Sequence, residues 1–254
     1  MTEHLRLFQQ GDHLNVRLPD YGHGEMVQAN QHLIIHNGEG MLLDPGGHKV
    51  FADVLGALSE FIPVGHLRYL FFSHQDPDIV AAATGWLATT KADAYCSELW
   101  LRFIPHFGVE DYFQDRLHGL PDEGGIIELG GQDLWVLPAH FLHSAGNFHL
   151  YDPASQILYT GDVGASLGVE EDVVEDVGPV LPSMAAFHQR YMAGNAACRA
   201  WVRMVRELPV ETIAPQHGAM IHGREAVSHF LDWFEDLSCG MDRMEEVFRL
   251  PGRG

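Results

Sequence analysis

The sequence predicts an α/β (α+β) fold, and three observations carry that expectation. Short apolar strands and hairpins alternate with helical stretches along the chain. The strands stop at short loops, where the unusual residues collect. The composition, 46% hydrophobic and 20% charged over 254 residues, is that of a protein able to bury a proper core. No linker, low-complexity tract or short repeat divides residues 1–254, so a single domain is expected.

The first 65 residues read as β-rich. His32–His36 and Met41–Asp44 are strands joined by a tight turn over Asn37-Gly38-Glu39-Gly40, because Asn-Gly supplies the positive φ angles a hairpin needs. Pro45-Gly46-Gly47 ends the second strand. Val50–Phe61 has Val50, Val54, Leu55, Leu58 and Phe61 on one helical face. Leu67–Phe72 reads as a buried strand that stops at Ser73–Asp78, where Pro77 enforces a loop. Asp78 then caps a helix through Ile79–Ala83. Ala92–Ser97 is a short strand and Glu98–His106 a helix. Ile126–Leu137 is a hairpin turning at Gly130-Gly131, and Phe148–Tyr151 pairs with Ile157–Thr160 across Asp152-Pro153. An acidic, glycine-containing stretch covers Val163–Ser183. One long helix spans Ala185–Leu208, with Trp201, Val202, Val205 and Leu208 on one face. A strand at Thr212–Ala214 runs into Pro215-Gln216-His217-Gly218, and Arg224–Leu237 is the last helix.

Charge excludes some functions. With 15 Lys+Arg against 35 Asp+Glu, a net charge of −20 repels phosphate backbones and anionic membranes. No run approaches the roughly 20 apolar residues of a membrane span. No export leader is visible at the start, and Cys96, Cys198 and Cys239 lack paired spacing, so free thiols in the cytoplasm are expected. Histidine is the unusual component, at 17 residues.

Four strand-end loops set His or Asp beside small residues: His74-x-Asp76-x-Asp78, His143-Ser144-Ala145-Gly146, Gly161-Asp162 and His217-Gly218. Metal ligands need short, stiff placements so that several donors reach one point at about 2.0–2.2 Å. Alternate residues of an extended segment point the same way, so His74, Asp76 and Asp78 can face one cavity. Taken singly, each has an ordinary role: His74 and His217 closing strand ends, Asp78 capping a helix, Asp162 making a turn. Jointly they form an ordered set of six.

The order of these loops resembles the metallo-β-lactamase superfamily, whose pattern is H-x-H-x-D-H, then His, Asp and a final His. The resemblance runs from Leu42-Leu43-Asp44-Pro45-Gly46 through His217 and implies a four-layer αββα sandwich holding two metals. Asp76 stands where hydrolases carry a histidine, and Ile79 where they carry another. A carboxylate followed by Asp, as in H-x-E-x-D, resembles the diiron branch, the flavodiiron proteins, with Asp76 one methylene shorter than Glu. The resemblance implies one iron held by His74, Asp76 and His143, a second held by Asp78 and His217, and Asp162 bridging. Asp44 resembles the superfamily's bracing aspartate. His140, His149, His188 and His222 read as packed or surface imidazoles, and Ser144 as a local hydrogen-bonding group.

Electrostatics points the same way. Two ferrous ions against three carboxylates leave one net positive charge, less than a hydrolase set with two aspartates retains. The extra carboxylate weakens Lewis acidity and favours the ferric state. Oxygen donors mixed with imidazoles suit iron or manganese, with zinc as the alternative. Loss of a histidine at position 79 leaves room for a diatomic ligand.

Full flavodiiron proteins continue into a flavodoxin-like domain carrying FMN. This sequence ends at Gly254 after its last helical region and has no phosphate-cradling glycine loop, so no FMN is expected in the chain. The resemblance therefore implies a protein binding dioxygen at two irons and acting as an oxygen sensor in signalling, chemotaxis included, with a signalling protein as partner. The alternatives are an oxygen or nitric oxide reductase fed by a separate electron donor, and a dinuclear zinc hydrolase. A homodimer is expected from the resemblance. The acidic segment Val169–Asp176 reads as a solvated loop, with a lid or docking surface as the alternative.

Overall fold

The alternating pattern resolves into two seven-stranded sheets in a computed structural model that describes residues 4–251. The first sheet follows chain order: β1 (Leu5–Gln10), β2 (His13–Arg17), β3 (His32–His36), β4 (Glu39–Leu43), β5 (Leu67–Phe71), β6 (Asp93–Ser97) and β7 (Leu117–Leu120). Its first four strands form an antiparallel meander; β4 to β7 are parallel. Parallel neighbours need crossovers: α1 (Phe51–Ser59) links β4 to β5, α2 (Pro77–Val80) and α3 (Ala83–Thr89) link β5 to β6, and short 3₁₀ turns link β6 to β7.

The second sheet begins with β8 (Gly125–Leu129), β9 (Gln132–Pro138), β10 (Phe148–Asp152) and β11 (Ile157–Tyr159), joined as antiparallel hairpins. It is completed by β12 (Val173–Val174), β13 (Thr212–Ala214) and β14 (Met220–His222), with β13 parallel to β11. The helices α4 (Leu181–Tyr191), α5 (Asn195–Val205) and α6 (Arg224–Glu235) cover its outer face.

Alternation along the strands sorts side chains into three cores. Leu33, Ile35, Leu42 and Leu70 pack outward against α1–α3. Ile34, Met41, Leu43 and Phe71 turn the other way and meet Leu134, Val136, Phe148, Leu150 and Tyr159 between the sheets. Tyr151, Leu158 and Ile213 pack against α4–α6. The result is the αββα sandwich.

The two glycine hairpins form as expected, with Asn37 and Gly38 at φ 48° and 76° and Gly130 and Gly131 at 59° and 97°. The first turn is two residues long, since pairing already resumes at Glu39. Other expectations need correction. Glu98–His106 is not one helix but two short 3₁₀ pieces, Glu98–Trp100 and Ile104–Phe107, because Pro105 lacks the N–H a continuous helix requires. The long helix over Ala185–Leu208 is broken at Met192-Ala193-Gly194 into α4 and α5. The Ala193 N–H bonds outward to Phe141 O instead of up the helix. Pro77 does not exclude a helix but opens one as its first residue, so Asp76 rather than Asp78 holds the N-cap position of α2. The strands β7, β12 and β14 lie outside the expected ones, and β12 falls within the segment read as a loop.

Candidate metal centre

All four histidine- and aspartate-bearing loops leave the same end of the sandwich. Ser73–Asp78 follows β5, the His143 loop follows β9, Asp162 follows β11, and His217 follows β13. The strands β9, β11 and β13 run in one direction, so their carboxyl ends open together. The sheets are tied at this end by the Phe148 N–H, which donates to Ser73 O at 2.9 Å.

The other five predicted residues gather around Asp162. Its Oδ2 stands 2.8 Å from His143 Nε2 and 3.7 Å from His74 Nε2, and its Oδ1 is 3.4 Å from His217 Nε2. Asp76 Oδ2 lies 3.6 Å from His143 Nε2 and 3.7 Å from His74 Nε2. Asp78 Oδ2 lies 3.4 Å from His217 Nε2. The donor atoms of His74, Asp76 and His143 all fall within 4.8 Å of one another. The side chains therefore form two groups, one around Asp76 and one around Asp78, with Asp162 between them.

Two glycines make this convergence possible. Gly161 (φ 50°) would set a Cβ 2.9 Å from Ser73 Oγ, and Gly218 (φ 78°) would set one 2.3 Å from the Ser166 carbonyl oxygen. Both the turn geometry and the close approach require glycine there.

Charge explains the protonation pattern. Burial alone would depress His74, but the carboxylates of Asp162, Asp76 and Asp44 overcome it and raise its pKa to about 9. Burial works to raise Asp162; three imidazoles overcome it and hold the carboxyl well below the usual range. The His74 hydrogen bond is the main cause lowering Asp76, whereas burial raises Asp78. Such mutual stabilisation among buried imidazoles and carboxylates is also what a cation would replace. Asp162 Oδ1 is buried without a hydrogen bond, a lone pair free for a metal. The mixed imidazole and carboxylate donors suit iron or manganese, so the residues fit the implied pair of ions.

A second layer orients these groups. His217 Nδ1–H donates to the Gln28 carbonyl, aiming Nε2 at Asp78 and Asp162. His74 Nδ1 is 3.0 Å from Ser73 Oγ, and Asp44 Oδ1 accepts the Ser73 N–H at 2.8 Å, the bracing role expected of Asp44. Ser144 Oγ donates to Gln75 Oε1, whose amide donates to Asp76 at 3.0 Å. Gln216 Nε2 donates to Asp78 Oδ2 at 3.1 Å. Sequence reasoning missed Gln28, Gln75 and Gln216. The only signal for the last two was adjacency to a ligand position. His149 accepts from Trp201 Nε1–H at 2.9 Å; His188 Nδ1–H donates to Met184 O, and its Nε2 accepts the Gly164 N–H. These imidazoles are structural, as expected, with His188 anchoring the turn after Asp162. Ile79 is fully buried in the core under the first sheet.

Above the cluster lies a cavity of about 690 Å³ walled by Met26, Leu167, Phe187 and Tyr191. Phe187 and Tyr191 stack at 4.7 Å, and Tyr191 meets the His143 ring edge-on at 5.6 Å. The acids of Val169–Asp176 are exposed, but the segment is not wholly the solvated loop expected: it holds β12, whose Val174 is buried, and Asp172 is tied to the Arg17 guanidinium.

Residues 27–218 match the family described as ODP family beta lactamase. The chain belongs to that family. A structure described as the peroxy diiron species of chemotaxis sensor ODP is 42% identical, with a TM-score of 0.87 over 97% of this chain and 100% of that one. The apo state of chemotaxis sensor ODP from T. denticola gives 42% identity and 0.86 over 97% and 99%. Diflavin flavoprotein A 1 of Synechocystis is 25% identical over 86% of this chain and 39% of its own length. The chain thus spans about two-fifths of the curated relatives it matches first. The rubredoxin oxygen:oxidoreductase of Desulfovibrio gigas shares the fold at 15% identity, TM-score 0.77, over 91% and 61%. The expected flavodiiron-like branch of the metallo-β-lactamase superfamily is borne out.

Proposed function

We propose that this protein is a non-haem diiron protein that binds dioxygen and reports it to a signalling partner, as a chemotaxis sensor does. The observation that carries the reading is the central carboxylate of Asp162, within 3.7 Å of three imidazoles drawn from three loops. In this reading His74, Asp76 and His143 hold one iron, Asp78 and His217 hold the other, and Asp162 bridges. When bound, two ferrous ions supply the electrons that dioxygen binding draws on.

The chain's own residues provide the rest. Gln28 and Ser73 orient two of the imidazoles. Gln75 and Gln216 hold the half-buried carboxylates of Asp76 and Asp78 in place. Met26, Leu167, Phe187 and Tyr191 give the approach an apolar wall, which suits an uncharged diatomic gas. We extend the proposal to a single metal-binding domain over residues 1–254, acting as a homodimer in the cytoplasm. The three cysteines are free thiols, as a reducing compartment favours, and no described helix is long and apolar enough to cross a membrane.

The test is anaerobic reconstitution with ferrous iron, metal analysis and an oxygen titration. Two irons per chain and a stable visible band that appears with oxygen are expected. Rapid oxygen consumption only with an added electron donor would favour the reductase. Zinc as the tight-binding metal, with phosphodiester or thioester hydrolysis and no oxygen response, would overturn the proposal.

A further inference from the structure

Outside the metal centre, one reactive pair has no part in the function above. Cys198, on α5, and Cys239, just beyond α6, bring their sulfurs to 3.7 Å across 41 residues of sequence. Both are fully buried in the core over the second sheet, while Cys96 lies in the other helical layer's core. The contact is therefore a tertiary pairing of two thiols.

The segment holding Cys239 is pinned to the break between α4 and α5. The Cys239 and Asn195 N–H groups both donate to Asp242 Oδ2. Asn195 Nδ2 donates to the carbonyls of Glu235 and Leu237. Gly240 N–H donates to Gln189 O, and Met241 N–H to Ala193 O. The same break ends α4, the helix that carries Phe187 and Tyr191 into the wall of the cavity.

The two thiols are not equivalent. Cys198 is fixed within a helix, whereas Cys239 follows exposed Ser238 and precedes a single helical turn, Met241–Met244, that buries nothing. Local opening of that turn exposes Cys239 first.

We propose that Cys198 and Cys239 are an oxidisable dithiol whose co-substrate is a hydroperoxide, with Cys239 the attacking thiol and Cys198 the resolving one. The Cys239 sulfur attacks one peroxide oxygen and the O–O bond breaks. This leaves Cys239 as a sulfenic acid and releases water from hydrogen peroxide, or an alcohol from an organic peroxide. The Cys198 sulfur then attacks the Cys239 sulfur, the S–O bond breaks and water leaves. Two thiols give up two electrons and two protons, and the peroxide takes both. The hydrogen bond between the two sulfurs lowers the Cys239 thiol and raises its partner, which favours the same order of attack. The sulfurs must close from 3.7 Å to about 2.0 Å. The bond then clamps the α4–α5 break, so the oxidised form has a stiffer cavity wall.

The pair is tested on the full chain without metal, by treatment with hydrogen peroxide, thiol labelling under denaturing conditions and peptide mass spectrometry. Labelled thiols fall from three per chain to one, the Cys198 and Cys239 peptides appear linked within one chain, and dithiothreitol reverses both. Cys96, its thiol pushed up to about 12 by burial, stays labelled. In Cys198→Ala, dimedone traps a sulfenic acid on Cys239; in Cys239→Ala it traps none on Cys198. Three labelled thiols after peroxide, linkage only between chains, or separate over-oxidation of the two cysteines would overturn the dithiol. The reverse dimedone pattern would overturn the order of attack.

Discussion

His143 Nε2 meets Asp162 Oδ2 at 2.8 Å, although one residue belongs to the β9–β10 loop and the other follows β11. Asp162 is almost fully buried and anionic, and it draws His74 and His217 to itself as well. The centre is organised around one carboxylate, and its consequences are measurable.

Asp162→Asn keeps the shape and removes the charge. Iron bound after anaerobic reconstitution should fall from two per chain to one or none, by elemental analysis. Two tightly bound irons in this variant would contradict the bridging role.

Asp44 supports the centre through the Ser73 N–H. Asp44→Ala leaves that buried donor unpaired, a cost of about 1–3 kcal/mol. It also lowers metal affinity by about 10–100-fold, the range for lost outer support. Urea unfolding and a metal titration read the two effects separately.

Gly218→Ala forces a Cβ to 2.3 Å from a carbonyl oxygen at a positive φ. A destabilisation of about 2–4 kcal/mol in urea unfolding is expected. Gly11→Ala, also at positive φ but with nothing within 4 Å of the Cβ, should cost only about 1 kcal/mol.

Acid should destabilise the metal-free protein in a calculable direction. Burial lowers His32, His149 and His188 from 6.5 to about 3, 3 and 4. Below pH 6.5 the unfolded chain protonates them while the folded one does not, so each removes up to about 1.4 kcal/mol per pH unit. Asp44 opposes this: burial raises it from 3.8 to about 6. Between those values the folded state holds a proton the unfolded lacks, so stability there rises as pH falls. Asp78, raised by burial as well, acts in the same sense as Asp44, and three imidazoles against two carboxyls still leave a net loss from pH 6.5 to 4. On the alkaline side, His74 is raised from 6.5 to about 9. Its contribution is complete below 6.5 and lost as pH rises through 9. Urea midpoints across pH 4 to 9 should therefore peak near pH 6.5; a flat profile would contradict both arms.

Metal removal should lower Tm reversibly. Each ion at roughly a hundredfold excess over its Kd stabilises by about 2.7 kcal/mol, so two stabilise by about 5.4 kcal/mol, or about 10–20 °C in a domain this size. Differential scanning calorimetry with a chelator, then with ferrous iron restored, reads the change.

Much of this was legible in the sequence because it is written locally. Asn37-Gly38 and Gly130-Gly131 needed only their own backbone preferences to form turns. Neighbouring residues of a strand face opposite ways, so once His32–His36 is a strand, Leu33 and Ile34 enter different cores. The order of His74, Asp76, Asp78, His143, Asp162 and His217 was equally readable, since each sits in a strand-end loop.

What escaped was decided at a distance. The helix through residues 185–208 breaks because the Ala193 N–H finds Phe141 and the Ala193 carbonyl finds Met241, partners no local pattern reveals. Gln28 became a positioning group for His217 only because the chain before β3 passes the loop after β13. Cys198 and Cys239 face each other for the same kind of reason. By itself the sequence determined most of the elements, the hairpin turns and the donor types, since periodicity and turn chemistry act over a few residues. Which donors share a charge, which amides hold them and which thiols touch came from the packing of two sheets, where contacts depend on chain closure over many tens of residues.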